Sequence, residues 1–249
     1  MRALKLMFVI ALAVSFVSCG SGKEKKSTEK KSAEVEDEGW VTLFDGSSTE
    51  GWRGYNKATF PEQGWEIVDG TLHCIGSGRG EAGGEGGDII FDKKFSNFDL
   101  KLEWKISEGG NSGIFYLGQE VPDWEIWRTA PEMQVLDNER HPDAEEGKDG
   151  NRKSGSLYDL IPAVPQNAKP AGEWNTAEIK VYKGSVWHIQ NGERVLEYHL
   201  WTPEWNELVA ASKFPELNPD WANVAAEGYI GLQDHGDDVW YRNIQIREL

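Results

Sequence analysis

Groups that can move protons are concentrated in one short stretch, residues 131–143, which reads PEMQVLDNERHPD. Within it, apolar residues alternate with Glu132 and Gln134, and this alternation predicts a strand with one apolar and one polar face. The apolar face is enough to fold a strand, so an acid beside an amide on the other face needs a separate reason. Asp137 and His141 follow directly and could act as an acid, a base or a ligand. These four residues are candidates for a catalytic or ligand-binding site, and the alternative is a solvated outer face.

A second candidate group lies near the C-terminus in residues 231–243, which read GLQDHGDDVWYRN. Gln233 and His235 share one side of an alternating strand, and histidine is the side chain whose ordinary pKa best suits proton transfer near neutrality. Arg242 lies on the next predicted strand, which is expected to pair with the first as a hairpin. The three residues are therefore predicted to meet in the site. The alternatives are a histidine that caps a turn and an arginine that pairs with a surface acid.

Several acids and histidines in these two stretches could also bind a metal ion. The possible ligands are Asp137, His141, Asp234, His235, Asp237 and Asp238. An oxygen-rich set of this kind suits calcium better than zinc, and the chain has no H-x-x-x-H or H-E-x-x-H spacing. The favoured interpretation is that the acids solvate a turn, so no metal or other cofactor is expected.

Other candidates lie outside these stretches. Glu103 and Lys180 are on predicted strands whose opposite faces are apolar, so each could reach the same polar surface or remain an exposed charge. Asp159, with its neighbour Tyr158, could close one edge of a cleft. Trp127 could stack on a sugar ring, although core packing is the commoner role of a tryptophan.

The pattern of short alternating runs predicts an all-β fold. About ten to twelve strands can be placed between turn signals, and this number at this spacing favours two packed sheets. Asp69–Gly70 and Asn191–Gly192 have the composition of tight hairpin turns. Residues 202–225 have helical character, with a start at Pro203 or the residue before it and a stop at Pro215. They are predicted to be a short helical insertion.

The N-terminal residues are predicted to direct the protein out of the cytoplasm. Residues 1–18 combine a basic start with the apolar run LMFVIALAVSFV, which is typical of a signal peptide and too short to span a bilayer. Cys19 follows where the run stops, as in a bacterial lipobox, so it is predicted to be lipidated. An ordinary secretory signal is the alternative. Residues 19–38 are charged, lack aromatics and are predicted to be a disordered tether. The protein is thus expected to be a periplasmic or outer-membrane lipoprotein that meets the membrane through its lipid alone, with its folded domain at residues 39–249.

Charge and local composition exclude two classes of partner. The formal net charge of -16 argues against nucleic acid, since phosphate binding needs clustered Lys and Arg. In residues 76–88, Gly78, Gly80 and Gly83 have a formal G-x-G-x-x-G spacing. No helix is predicted to follow them, and the acids nearby would repel a nucleotide phosphate. A neutral saccharide remains compatible with both observations.

Five segments of the chain, taken in order, resemble one known family. They are GWVTLFDGSSTEGW, FDLKLEWKISEGGNSGIFYLG, EMQVLDN, SGSLYDLIPA and EGYIGLQDHGDDVWYRNIQIREL. The family is that of the 3-keto-disaccharide hydrolases, long called a domain of unknown function and also described as a 3-keto-glucoside 1,2-lyase and 3-keto-2-hydroxy-glucal hydratase domain. The resemblance covers nearly all of residues 39–249. It implies a concanavalin A-like jelly-roll sandwich of two antiparallel sheets, with a concave sheet that carries the site. It also implies a saccharide substrate and a separate sugar 3-oxidoreductase in the same pathway.

The resemblance further implies a chemistry for the candidate residues. A ketone at C3 acidifies the hydrogen on C2, so a base can remove that proton while the charge falls on O3. The C1 substituent then leaves with help from an acid, with or without later addition of water. His235 or Glu132 is the expected base. The predicted catalytic residues are His235, Glu132, Arg242, Lys180 and Asp137, of which Arg242 and Lys180 would stabilise charge, and the predicted substrate-binding residues are Gln134, Gln233, Glu103, His141, Asp159 and Trp127.

Two other functions remain open from the sequence. A non-catalytic carbohydrate-binding module would need the aromatic and hydrogen-bonding groups but no titrating base. A conventional glycoside hydrolase of this fold class would carry an E-x-D-x-x-E pattern, whose paired carboxylates act as acid and nucleophile. In this chain Gln134 takes the place of the aspartate and Asp137 is out of register. The conventional hydrolase is therefore the less favoured alternative.

Overall fold

Two antiparallel sheets packed face to face form the body of the protein in a computed structural model, which describes residues 39–78 and 84–249. The predicted signal peptide, Cys19 and the charged tether lie outside the described residues, as do Gly80 and Gly83. Within the described residues, no helix is long and apolar enough to cross a membrane. The prediction of an all-β sandwich is confirmed.

Thirteen strands and two short helices are present in the described residues, numbered in chain order. The strands are β1 (Trp40–Phe44), β2 (Trp52–Gly54), β3 (Trp65–Val68), β4 (Thr71–Cys74), β5 (Ile89–Phe95), β6 (Phe98–Ile106), β7 (Asn111–Gly118), β8 (Glu132–Leu136), β9 (Asn175–Tyr182), β10 (Ser185–Gln190), β11 (Glu193–His199), β12 (Gly228–Leu232) and β13 (Val239–Glu248). The helices are α1 (Pro203–Ala210) and α2 (Phe214–Leu217), and single 3-10 turns lie at Ile126–Arg128 and Pro142–Glu145.

The two sheets divide the strands unequally. The larger sheet has the order β11-β10-β9-β6-β13-β4-β3, with β1 paired to β13 as well. The smaller sheet has the order β2-β5-β12-β7-β8. Although β12 and β13 are consecutive, they belong to different sheets, so residues 233–238 carry the chain across the sandwich. This crossing decides which of the C-terminal residues can meet.

Alternating apolar residues face inward from both sheets and form one core. On β6, for example, Leu100, Leu102, Trp104 and Ile106 are buried, whereas Lys101 between them is exposed. Burying one such side chain contributes roughly 1.5–3 kcal/mol. The two-residue alternation of the sequence thus fixes which face of each strand turns inward.

One histidine is buried in this core with both ring nitrogens in hydrogen bonds. Nδ1 of His188, on β10, donates to the Gly155 carbonyl at 3.0 Å, and Nε2 accepts from the Tyr116 hydroxyl at 2.8 Å. The Tyr116 hydroxyl also lies 2.6 Å from that of Tyr198. Burial lowers the pKa of His188 to about 4, so the ring is neutral at physiological pH.

The helical insertion follows β11 and begins as predicted. Thr202 caps α1, since its side-chain oxygen accepts the Trp205 N–H at 3.1 Å, and Pro203 takes the first helical position. The predicted stop at Pro215 is wrong in position, because α1 already ends at Ala210. Pro215 instead lies in the first turn of α2, where a missing N–H costs nothing.

A stack of aromatic rings attaches the insertion to the sandwich. Ring centroids are 5.4 Å apart between Tyr198 and Trp205, 5.8 Å between Trp205 and Trp221, and 4.0 Å between Trp221 and Phe214. Aromatic pairs of this kind contribute about 0.5–1.5 kcal/mol each beyond their buried area. The insertion is thereby held against the same side of the molecule as β7, β8 and β12.

Both predicted tight hairpins are confirmed. The β3–β4 turn has φ 49° at Asp69 and 73° at Gly70, and the β10–β11 turn has 51° at Asn191 and 79° at Gly192. Positive φ at both central residues is the requirement of a type I′ turn, which explains the Asp-Gly and Asn-Gly pairs.

Candidate active site

The face of the smaller sheet that points away from the core forms the floor of a cavity of about 420 Å³. On β8, Met133 and Val135 face the core, so Glu132 and Gln134 face outward into the cavity. Gln233 joins them from the end of β12, where its N–H donates to the Gly113 carbonyl. The described residues that line the cavity are Asn111, Trp127, Ala130, Glu132, Gln134, Tyr158, Lys213, Phe214, Leu217, Trp221, Gln233 and His235.

A glycine on β7 makes room for the Glu132 side chain. Gly113 is paired with Gln134 on the neighbouring strand, and a Cβ atom at position 113 would overlap the Glu132 carboxylate. Any side chain at this position would therefore push the carboxylate out of its place in the cavity.

The Glu132 carboxylate is buried without a hydrogen-bond donor among the described residues, and only 8% of the residue is exposed. Burial and, to a smaller extent, the charge of Asp88 raise the pKa of Glu132 from 4.5 to about 8, while Lys213 opposes the shift. A carboxylate in this condition is a strong base when ionised and titrates near neutral pH.

Lys213 brings a positive charge to the same cavity from the helical insertion. Its Nζ donates to the Tyr158 hydroxyl at 3.1 Å and lies 4.0 Å from Asp159 Oδ2. The Tyr158 hydroxyl donates in turn to Asp143 at 3.0 Å, and Arg152 binds both Asp143 and Asp159. Burial lowers the pKa of Lys213, while the charge of Asp159 opposes that shift. The ammonium group is thus held in place by its partners.

Two amide side chains on the floor have unsatisfied oxygens. Within residues 39–78 and 84–249, nothing donates to Asn111 Oδ1 or Gln233 Oε1, although the two residues are only 3% and 9% exposed. Buried polar atoms are normally hydrogen-bonded, so exceptions call for an explanation. Because both residues line the cavity, a ligand rich in hydroxyl groups would satisfy them.

A second, larger cavity of about 640 Å³ adjoins the first. Trp127, Gln233 and His235 line both. The other described residues of the larger cavity are Tyr55, Asn56, Lys57, Gly84, Gly86, Gly87, Asp88, Asp123, Trp124, Glu125 and Asp234. The two cavities together form one extended cleft over the smaller sheet.

Three predicted site residues lie on the other sheet and do not reach this cleft. The expected hairpin between the strands of Gln233 and Arg242 is wrong, because β13 pairs with β6, β4 and β1 in the larger sheet. Arg242 binds Glu103 Oε2 at 2.7 and 2.9 Å and lies over the Trp174 ring at 3.9 Å. Lys180, on β9, lies 4.0 Å from Asp99.

Three more predicted residues lie close to the cleft without lining the Glu132 cavity. Asp137 accepts the backbone N–H of Gly109 at 2.7 Å. His141 caps the 3-10 turn that follows it, since its Nδ1 accepts the Asp143 N–H at 3.1 Å. Asp159 holds Arg152 and faces Lys213. None of the three residues lines either of the two cavities, and the contacts described here are with neighbouring protein groups.

The acids of residues 234–238 hold backbone groups. Asp234 accepts three backbone N–H groups, all from glycines, at 2.9–3.1 Å. Asp238 accepts from Gly76 at 3.0 Å and contacts His73 at 2.8 Å. In the part of the chain that the structure describes, no three Asp, Glu, His or Cys side chains converge to hold a metal ion.

Five of the predicted residues do meet in the cleft, namely Glu132, Gln134, Gln233, His235 and Trp127. Sequence reasoning missed Lys213, Asn111 and Asp88. Lys213 lies between the two helices of the insertion, and no local sequence pattern shows where that insertion packs. Asn111 is the first residue of a strand that is buried along its whole length, so it does not stand out as a site residue.

Comparison with known proteins shows the family to which the chain belongs. The family model of the 3-keto-alpha-glucoside-1,2-lyase-like domain matches residues 39–247. A protein of Bacteroides thetaiotaomicron named 3-keto-disaccharide hydrolase is 53% identical, over 94% of this chain and 87% of its own length. A solved structure from Parabacteroides distasonis, described as a proposed glycosyl hydrolase, is 30% identical over 85% of this chain and 94% of that one, with a TM-score of 0.75. A Bacillus subtilis protein with a galectin-like fold is 15% identical over 84% of this chain and 94% of that one, with a TM-score of 0.53, and shares the fold alone. The chain therefore belongs to the family of the 3-keto-alpha-glucoside-1,2-lyase-like domain.

Proposed function

We propose that the protein is a carbohydrate-active enzyme that cleaves 3-keto-glycosides, with Glu132 as the base that removes the C2 proton. The observation that carries this proposal is the Glu132 carboxylate, which is buried in a cavity without a hydrogen-bond donor among the described residues and faces the charge of Lys213. The relative named 3-keto-disaccharide hydrolase supports the substrate class.

The groups around Glu132 suit the charge that this reaction develops. Removal of the C2 proton leaves negative charge on O3, and a cation in a water-poor cavity stabilises such charge more strongly than water does. Lys213 would stabilise this charge, which is the role that the sequence analysis assigned to Lys180 and Arg242. Its position is fixed by Tyr158 before substrate arrives, so little reorganisation is needed during the reaction.

Glu132 is preferred to His235 as the base because its carboxylate faces the charge of Lys213 and burial raises its pKa to about 8. Aromatic walls formed by Trp127, Phe214 and Trp221 would hold the sugar ring over the floor. The unsatisfied oxygens of the floor amides would accept hydroxyl hydrogens of the sugar.

The geometry favours this reaction over the two alternatives. A conventional glycosidase needs two carboxylates about 5–9.5 Å apart beside one glycosidic bond. Gln134, the next outward-facing residue on the strand of Glu132, is an amide that can act neither as acid nor as nucleophile, so β8 lacks the second carboxylate of the conventional pattern. A binding module has no use for a buried acid that lacks a hydrogen-bond donor, because such a group destabilises the fold.

The cellular setting remains part of the proposal. The substrate would be supplied by a separate sugar 3-oxidoreductase, because a glycoside must be oxidised at C3 before its C2 proton becomes acidic enough for this reaction. Export and lipid attachment at Cys19 would place the enzyme in the cell envelope, where glycosides from outside are first met.

The direct test uses the full purified chain with 4-nitrophenyl 3-keto-glucoside and with the unoxidised glucoside. Glu132→Gln is compared with Glu103→Gln, a matched change on the larger sheet. Release of nitrophenol from the keto-sugar alone is expected, with a loss of roughly 10²–10⁴-fold in kcat/KM for Glu132→Gln. Glu103→Gln should stay within a few-fold of the wild type. Cleavage of the plain glucoside, or full activity in Glu132→Gln, would contradict the proposal.

A further inference from the structure

We propose that the larger cavity binds the leaving group of the same substrate, a second sugar or another alcohol, and that Asp88 donates the proton which this leaving group takes. The inference rests on the proposed function, because it assigns the second half of that reaction.

The arrangement of the two cavities fits a substrate of two parts. They share three lining residues, Trp127, Gln233 and His235, so a ligand on the Glu132 floor extends directly into the larger space. The larger cavity, about 640 Å³, has room for a second sugar ring. Tyr55 and Trp124 give it aromatic walls, and Asn56 adds hydrogen-bonding groups.

Asp88 is held rigidly at the base of the larger cavity with one oxygen available. It precedes β5, and its backbone carbonyl accepts the Tyr55 N–H at 2.8 Å. Its Oδ1 accepts the backbone N–H of Asp234 at 3.0 Å. Within the described residues no group donates to Oδ2, and the side chain lines the cavity.

The protonation of Asp88 suits an acid at neutral pH. Burial raises its pKa to about 7, the Asp234 N–H opposes this shift, and the charges of Asp234 and Glu125 add to it. The charge of Asp88 also raises the pKa of Glu132. The pKa of Asp88 lies below that of Glu132, so the reactive form, with Glu132 ionised and Asp88 protonated, is the minor one of the two singly protonated forms near neutral pH.

The proton balance closes over a complete cycle. Ionised Glu132 takes the C2 proton, the C2–H electrons form the C1–C2 double bond through the O3 enolate, and the C1–O bond breaks. The leaving oxygen takes the proton of Asp88. When water then adds, Asp88 takes a proton from the water that attacks C1, and Glu132 returns its proton to C2. The net change is hydrolysis, and both carboxyl groups regain their starting states.

Leaving-group dependence tests this assignment on the full chain. Asp88→Asn keeps the oxygen that accepts the Asp234 N–H but cannot donate a carboxylic proton. Its kcat/KM is expected to fall about 100-fold or more for methyl 3-keto-glucoside and less than about 5-fold for 4-nitrophenyl 3-keto-glucoside, because nitrophenolate leaves without protonation. Asp69→Asn, a matched change in the exposed β3–β4 turn outside both cavities, should affect neither substrate by more than about 3-fold.

The other outcomes separate the two proposals. Equal losses on both substrates would mean that Asp88 only supports the structure, and would overturn the inference. Equal effects of Asp88→Asn and Asp69→Asn would mean that only the net charge of the protein matters, and would also overturn the inference. A wild type inactive on both keto-sugars would instead overturn the proposed function. If Asp88→Asn fails to fold, Asp88→Ser gives the same comparison between substrates.

Discussion

The buried histidine of the core and the buried glutamate of the cleft differ in whether their polar atoms have hydrogen-bond partners. Both ring nitrogens of His188 have partners, at 2.8 and 3.0 Å. The Glu132 carboxylate has no donor among the described residues, and two amide oxygens beside it are also unsatisfied. Burial favours the neutral form of both groups. It lowers the pKa of His188 to about 4 and raises the pKa of Glu132 to about 8.

The difference shows that the buried His188 stabilises the fold, whereas the buried Glu132 destabilises it. A satisfied group contributes to stability and is lost only with the structure around it. An unsatisfied group costs stability and is retained for another reason. Around Glu132 that reason is proposed to be catalysis, and three changes would sharpen or break the contrast.

Loss of the cavity cation should have the largest effect. Lys213→Met keeps the length of the side chain and removes its charge, so kcat/KM for the 3-keto-glucoside is expected to fall about 10²–10³-fold. Lys180→Met, which removes a lysine from the larger sheet, should leave kcat/KM within about 2-fold of the wild type. Similar losses in both variants, measured under the same conditions, would break the distinction between the two sheets.

Loss of the core histidine should act on stability instead. His188→Leu leaves the Gly155 carbonyl without its donor and the paired hydroxyls of Tyr116 and Tyr198 with one acceptor fewer. The free energy of unfolding is therefore expected to fall by about 2–3 kcal/mol in denaturant titrations. His199→Leu, at an exposed position of β11, should change it by less than about 0.5 kcal/mol. The kcat of the folded His188→Leu protein should remain within a few-fold of the wild type. A large fall in kcat without a loss of stability would contradict this division of roles.

Neutralising Glu132 should stabilise the fold while it abolishes activity. The folded-state pKa of about 8 lies above the ordinary value of 4.5, so stability is greatest below about pH 4.5 and is lost as the pH rises through about 8. Glu132→Gln removes this loss. Its gain in unfolding free energy over the wild type should be near zero at pH 4.5 and about 1–3 kcal/mol at pH 8. A gain that does not depend on pH would show that Glu132 ionises freely in the folded protein.

The sequence could predict what depends on local patterns. Alternation identified the polar face of Glu132 and Gln134 and the all-β class. Gln233 and His235 do line the cleft together, but the alternating strand predicted for them is wrong, because β12 ends at Leu232. The Asp-Gly and Asn-Gly pairs identified two hairpins, because a type I′ turn is specified by two adjacent residues.

The remainder depended on contacts between distant parts of the chain. Arg242 was assigned to the site because consecutive strands usually pair, but the chain crosses between sheets at residues 233–238. Lys213 reaches the cavity only because a stack of aromatic rings docks the insertion. Asp88 is recognisable only when the neighbouring cavity is seen, since in the sequence it is one acid at the end of a glycine-rich loop.

Gly113 carries no functional group, yet the position of Glu132 depends on it. A mutational scan would score position 113 among the most sensitive in the protein, because even alanine would occupy the space of the carboxylate. A search for acids, bases and nucleophiles would pass over this residue altogether. In this protein, the positions that do not tolerate substitution therefore include those that leave space for the reactive group, as well as the reactive group itself.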